Sequence, residues 1–272
     1  MSESSKAHLT LTFTSCQAPS AEAFCASVVG FIGEQLGVRT VFVRDAPWQD
    51  RERWFDQGDI DVCWMCGWPY ALRADGPSPG LDLLAAPVMA HPRYLDRPVY
   101  FSDVVVRADS RYKAFEDLRG AAWAYNEPMS HSGYNVVRHF MAARSIHGRF
   151  FGPVVESGSH QASIDLIVNR GVDGSAIDST VLEAIIRRQP ELGSRLRVIE
   201  TIGPSPAPPW VMRSTLSEDL RDALRTQFAT MHESAAGLAI LHSAAVKRFD
   251  AVGDRHYDAI RVMAETAAYA EL

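Results

Sequence analysis

Leu9-Thr10-Leu11-Thr12-Phe13-Thr14 alternates apolar and polar side chains, which is the pattern of a half-buried strand. Phe24, Val28, Phe31 and Leu36 follow at helical spacing, and Gly37 supplies a stop. Val38 to Val43 reads as a second strand, Trp48 to Gln57 as a short helix ending at Gly58, and Ile60 to Trp64 as a third strand. This βαβαβ order within the first 65 residues predicts an α/β lobe built on a largely parallel sheet.

Beyond this block, Leu81 to Met89 and Val99 to Val106 are extended segments. A second series of strands is expected at Ala121–Tyr125, Val154–Glu156 and Ser175–Ile177. Helices are expected at Phe115–Leu118, Gly133–Ala143, Gln161–Val168 and Thr180–Arg188. Leu196 to Ile202 then runs into Gly203-Pro204-Ser205-Pro206-Ala207-Pro208-Pro209. So many prolines have no place in a central strand or helix, and the run reads as a stiff crossing between lobes. The remainder is expected to be mostly helical, over Ser217–His232, Ala235–His242 and Tyr257–Ala268. The expected organisation is therefore two α/β lobes joined by a two-crossing hinge. Residues 1–104 and 204–272 form the first lobe and 105–203 the second. Junctions of this kind favour a ligand cleft and hinge closure.

Composition bounds the function. The 272 residues are 47% hydrophobic and 22% charged, ordinary values for a globular chain. Twenty-seven Lys and Arg against 33 Asp and Glu give a net charge of −6 without a basic stripe. Nucleic acid is thus not an expected partner, and an anion site must be local. No apolar run approaches the roughly 18–20 residues of a membrane span, so no membrane insertion is expected. Met1 to His8 shows no secretory signal, which points to the cytoplasm as the sequence stands; a periplasmic address is the alternative if a signal has been removed. The phosphate-binding glycine loop, the dinucleotide fingerprint and the G-x-S-x-G elbow are all missing, so catalysis has no motif support and no cofactor is expected. Cys63-Trp-Met-Cys66 has no second ligand pair for zinc. Its simplest reading is a pair of buried structural thiols.

Three stretches carry candidate chemistry. Asn126-Glu-Pro-Met-Ser130-His131-Ser132-Gly133-Tyr134 follows a strand and opens a helix. Free N–H groups at a helix start suit an anion, and two hydroxyls and a ring N–H add donors. An ordinary serine N-cap accounts for the same residues equally well. Ser157-Gly158-Ser159-His160 is again a strand-to-helix junction, with His160 either in the cleft or simply capping. Asp178 ends a buried strand, where it serves as a helix N-cap or accepts from a ligand hydroxyl or ammonium. Trp48 and Trp68 sit in loop contexts, Ala-Pro-Trp and Gly-Trp-Pro, and are expected to face the cleft.

Six blocks in order resemble one known family. These are Gly58-Asp-Ile-Asp-Val62 with Gly67-Trp-Pro-Tyr70, Tyr100-Phe-Ser-Asp-Val-Val-Val106, and Phe115-Glu-Asp-Leu-Arg-Gly120. Ser130-His-Ser-Gly-Tyr134, Gly158-Ser-His160 with Gly171-Val-Asp-Gly-Ser-Ala-Ile-Asp178, and Tyr257-Asp-Ala-Ile-Arg261 complete the set. The chain resembles the substrate-binding proteins of ABC transporters for phosphate, phosphite and phosphonate, with the type 2 periplasmic-binding-protein fold. The resemblance implies a small anionic ligand and an ABC permease as partners. It implies that Ser130, His131, Ser132 and His160 hold the anionic head, that Tyr100 donates from the hinge strand, and that Asp178 meets the organic tail. Trp48 stands where the family has a tyrosine, and His131 where it has a threonine. A charge on His131 near pH 6–7 would add to anion binding. A cytoplasmic enzyme on the same fold and a ligand-sensing regulatory module are the alternatives to a solute-binding role.

Overall fold

The computed structural model describes residues 9–77, 80–146 and 148–272; the Met1–His8 stretch lies outside them. Two compact units are present, one of residues 1–99 and 206–257 and the other of residues 100–205 and 258–272.

In unit 1, β1 (Thr10–Ser15) lies parallel to β2 (Arg39–Val43) and to β3 (Val62–Trp64), with Phe13 opposite both Phe42 and Val62. Helix α1 (Glu22–Leu36) connects the first pair and ends where Gly37 adopts φ +64°, a left-handed turn that a side chain would strain. Helix α2 (Trp48–Gln57) ends in the same way at Gly58. The short helix α3 (Gly67–Ala74), which propensity does not reveal, then leads to β4 (Leu81–Met89).

The other half of this sheet is antiparallel. Strand β10 (Trp210–Arg213) lies between β3 and β4 and runs against both, and β11 (Val246–Asp250) runs against β4. The order is β11-β4-β10-β3-β1-β2, so the expectation of a largely parallel sheet is corrected to a mixed one. The later part of the chain is also less helical than expected, since it supplies β10 and β11 beside helices α8 (Glu218–Thr230) and α9 (Ala235–Ser243). Trp210-Val-Met is too short to show a period, and it is buried on both faces.

Unit 2 holds β5 (Val99–Arg107), β6 (Trp123–Tyr125), β7 (Val154–Glu156), β8 (Gly174–Asp178) and β9 (Leu196–Pro206) in the order β7-β6-β8-β5-β9. Strand β6 is parallel to β7 and β8, whereas β5 is antiparallel to β8, with Ser102 opposite Asp178. Period-two alternation sends Val104, Val106, Trp123 and Ala176 into one core, and Val105, Ala124 and Ile177 into another across the sheet. The first core is aromatic: Trp123 stacks on Phe151 with centroids 4.4 Å apart, and Phe115 stacks on Phe150 at 5.2 Å. It also receives helix α4 (Val136–Ala143). The second takes α5 (His160–Val168) and α6 (Ser179–Arg188), and the short α7 (Pro190–Arg195) leads into β9.

The expected lobe boundaries differ from these units in two places, near residue 104 and at the C-terminus. Residue 104 lies inside β5, whose pairing with β8 from Ser102 to Val106 keeps the strand in unit 2. The run 203–206 ends β9, an edge strand where proline is tolerated, and the chain passes to unit 1 inside the expected crossing, after Ser205. The largest difference is at the C-terminus. Helix α10 (Asp258–Ala267) packs against α4 and belongs to unit 2. Arg138 Nε donates to the Ala270 carbonyl at 2.7 Å, His139 Nδ1 lies 2.7 Å from Thr266 Oγ1, and Ala270 is buried in the aromatic core. The chain therefore passes between the units three times instead of twice.

Candidate functional site

Strand β6 ends at Tyr125, and the chain then turns into the 126–134 loop. Ser130 is the N-cap of the helix that follows, and its Oγ accepts from the Gly133 N–H at 3.1 Å. The first turn is wide: the Asn135 N–H reaches back five residues to the Ser130 carbonyl at 3.0 Å before regular α4 begins. A Cβ at Gly133 would lie 1.9 Å from Asn126 Oδ1, so a side chain there would require Asn126 to move. Glycine serves close approach here and not a turn, since its φ is not positive.

The second loop is tied to the first. Ser157 and Gly158 donate backbone N–H bonds to the carbonyls of Tyr125 and Asn126, both at 2.8 Å, and Ser157 Oγ also donates to Tyr125 O at 3.1 Å. Ser159 caps α5 by accepting from the Ala162 N–H, so His160 takes the first helical position. These bonds bring His160 Nε2 to 3.0 Å from Ser132 Oγ, with Ser130 Oγ 3.5 Å from Ser132 Oγ. All three side chains are buried.

The electrostatics of this cluster are those of neutral donors. Burial lowers the pKa of His160 to about 4 and that of His131 to about 3, so both imidazoles are uncharged at neutral pH. The His160–Ser132 pair keeps one proton between its two atoms and has another to offer. With Nε2–H donating, the serine hydroxyl is free; in the other tautomer Nδ1–H is free. His160 Nδ1 and Asn126 Oδ1 are buried with no partner among the described residues.

His131 is placed differently from the sequence expectation of a titrating cation. Its ring is fully buried, with Nδ1 3.2 Å from Asn135 Nδ2 and Nε2 3.0 Å from Ser205 Oγ. An amide donor on Nδ1 leaves the proton on Nε2, which then donates to Ser205. Tyr100 packs edge-on to the same ring at 6.4 Å. Ser205 and Asn135 were not legible as site residues. Ser205 lay in the segment read as a crossing, and the only hint was a lone hydroxyl between two prolines.

Asp178 is the N-cap of α6. Its Oδ1 accepts from Thr180 N at 2.8 Å, Thr180 Oγ1 at 2.7 Å and Val181 N at 3.3 Å. Burial raises its pKa to about 6 against those hydrogen bonds, and Asp103 adds a smaller upward push. Strand β8 packs against the 131–135 turn, and Ser102, opposite Asp178, has a buried Oγ without a partner among the described residues.

Six of the expected residues, Tyr100, Ser130, His131, Ser132, His160 and Asp178, thus fall in unit 2, and Trp48 and Trp68 in unit 1. Neither tryptophan is in a loop: Trp48 opens α2, Trp68 is the second residue of α3, and both are half-buried. Cys63 and Cys66 do not pair. Cys63 is buried, with its thiol pKa pushed up by burial, and its sulfur neighbour is Cys16 at 3.7 Å; Cys66 is half-buried at the start of α3.

The buried histidines and Asp178 give acid stability opposing signs. Each histidine binds its proton more readily unfolded than folded, so it removes stability as pH falls from about 6.5 toward about 4 and 3. Asp178 binds its proton more readily folded, so it adds stability as pH falls from about 6 toward 3.8. His160→Asn should therefore flatten the loss of urea stability between about pH 6.5 and 4. An unaltered pH profile would show that His160 is protonated equally in both states.

Comparison with known proteins now places the chain. Residues 11–257 match the family described as ABC transporter, phosphonate, periplasmic substrate-binding protein. The chain belongs to this family. The phosphonates-binding periplasmic protein of Escherichia coli (strain K12) is 26% identical over 172 residues, which covers 61% of this chain. The aligned region spans only about half, 51%, of that relative's length. Among solved structures, the binding protein component of an ABC phosphonate transporter from Pseudomonas aeruginosa superposes with a TM-score of 0.83 at 19% identity, covering 95% of this chain and 86% of that one. PhnD1 from Prochlorococcus marinus (MIT 9301), in complex with methylphosphonate, gives a TM-score of 0.83 at 17% identity, covering 96% and 98%. At these identities the likeness is one of fold, the two-lobe α/β architecture of periplasmic binding proteins. In this member of the phosphonate-binding family the Ser130–Gly133 turn and His160 occupy adjoining strand-to-helix junctions of one sheet. Among the described residues no helix is long and apolar enough to cross a membrane.

Proposed function

We propose that this protein binds a small phosphonate-type anion and hands it to an ABC permease in the periplasm, the compartment the family description names. The observation that carries the proposal is the convergence of Ser130 Oγ, Ser132 Oγ and His160 at two adjoining helix starts, around a glycine that packs closely against Asn126. A buried dianion loses its hydration and needs several donors in return. Hydroxyls, the imidazole and first-turn amides supply them.

Within the proposal, Ser130, Ser132 and His160 take the head group. His131 acts indirectly, through its contacts with Ser205 and Tyr100. Asp178 meets the tail. PhnD1 of Prochlorococcus marinus, with methylphosphonate bound, is the relative in this fold that supports the ligand class.

A thermal-shift panel tests the proposal. Methylphosphonate, ethylphosphonate, 2-aminoethylphosphonate, phosphite, phosphate, sulfate and taurine are compared with the free protein. A ligand present at a hundred times its Kd stabilises by about 2.7 kcal/mol, a rise of about 5 °C for a chain of this size. The expected result is a rise with phosphonates and none with taurine. No response to any phosphonate at millimolar concentration would overturn the assignment. Fractionation of cells expressing the gene from its own locus checks the compartment.

A further inference from the structure

Within unit 1, Cys63 meets a different cysteine from the one its Cys-Trp-Met-Cys spacing suggests. It sits in the middle of β3, opposite Thr14 of β1. Cys16 lies two residues beyond Thr14, so period-two alternation puts its side chain on the same face of the sheet. The two sulfurs are 3.7 Å apart there. The Cys16 thiol also donates weakly to the Trp48 carbonyl at 3.9 Å, which places the pair at the first turn of α2. The two differ in access: Cys63 is fully buried and Cys16 half-buried. Burial holds the Cys63 proton well above the usual thiol range, so a reagent from solution meets Cys16 first. Cys25 is withdrawn from this chemistry, buried on α1 with its thiol pushed up to about 12.

We propose that Cys16 and Cys63 are a disulfide site, at which Cys16 meets the oxidant and Cys63 closes the bond. The oxidant is an external disulfide. The Cys16 thiolate, its proton lost to water, attacks one sulfur of that disulfide, whose S–S bond breaks and releases one thiolate. Cys63 then gives up its proton, attacks Cys16 Sγ and displaces the second thiolate. Two protein thiols are oxidised, one external disulfide is reduced, and two protons end on the two thiols released. Closure shortens the sulfur contact by about 1.7 Å, to a bond of about 2.05 Å. Cys16 is the first residue past β1, so the adjustment falls at the end of the strand and not in its middle. Such bonds persist in the periplasm, the compartment proposed above, and the geometry that makes this one is independent of the anion bound in unit 2.

The test incubates the whole protein with oxidised glutathione, unfolds it in guanidinium with an alkylating maleimide, and reads the intact mass. Of the four cysteines, two should be alkylated and two held in a bond that digestion maps to Cys16 and Cys63. In Cys63→Ser, Cys16 should instead keep glutathione as a lasting mixed disulfide. In Cys16→Ser, Cys63 should carry no glutathione and be alkylated only after unfolding. The parent measurement stands by itself where a serine variant fails to fold. Four alkylations in the oxidised parent, a bond mapped to another pair, or a glutathione adduct that persists on Cys16 of the parent each overturn the proposal. Glutathione found on Cys63 in Cys16→Ser overturns the assigned order of attack.

Discussion

Ser130→Ala combined with Ser132→Ala should weaken binding of the best phosphonate in the panel by about a hundredfold to ten-thousandfold. Each hydroxyl donating to an anionic oxygen is worth roughly 1.5–3 kcal/mol. The two are in contact at 3.5 Å, so their losses will not add strictly. Ser130 also caps the helix through the Gly133 N–H, a loss of about 0.5–2 kcal/mol in stability that must be separated from the binding effect. Calorimetric titration of the double variant, with its urea midpoint measured in parallel, makes that separation. Parental affinity in a folded double variant would move the anion site elsewhere.

Trp123→Ala should be the most destabilising single change in unit 2. The ring is fully buried, stacked on Phe151 and edge-on to Phe115 at 6.5 Å. Removing so large a buried side chain costs about 3–5 kcal/mol, out of a total of roughly 5–15 kcal/mol for a typical domain. Strand β6 is only three residues long and carries the 126–134 loop at its end. The same variant should therefore lose ligand affinity even where enough folded protein remains to titrate. Urea unfolding followed by near-ultraviolet dichroism reads the stability. A change below about 1 kcal/mol would mean that the ring cluster collapses around the gap and does not set the position of β6.

Local rules made much of this legible in the sequence. Helices α1 and α2 end at the glycines that the pattern marks, because a left-handed residue closes a helix whatever lies around it. The strand-to-helix junctions at Ser130 and His160 were likewise visible, since capping chemistry is written in adjacent residues. Pairings across long stretches of chain were not. Strand β10 inserts between β3 and β4, more than 120 residues away in sequence, and nothing in Trp210-Val-Met-Arg213 announces that neighbour. The C-terminal helix was amphipathic and correctly read as a helix, but the unit it packs on is decided by Arg138, His139 and Ala270 together. The state of His131 also depended on burial. An isolated imidazole titrates near neutrality, whereas one enclosed by Asn135, Ser205 and Tyr100 does not.

The prolines at the end of β9 have a colloidal consequence. An edge strand is where a second copy of a chain adds its own backbone, and growth of such a ladder is the first step of aggregation. Pro204 and Pro206 carry no N–H, so the final stretch of that edge offers an incoming strand little to bond. At the opposite edge β7 is only three residues long. Both margins of the unit 2 sheet are thus poor templates for a second copy of the chain.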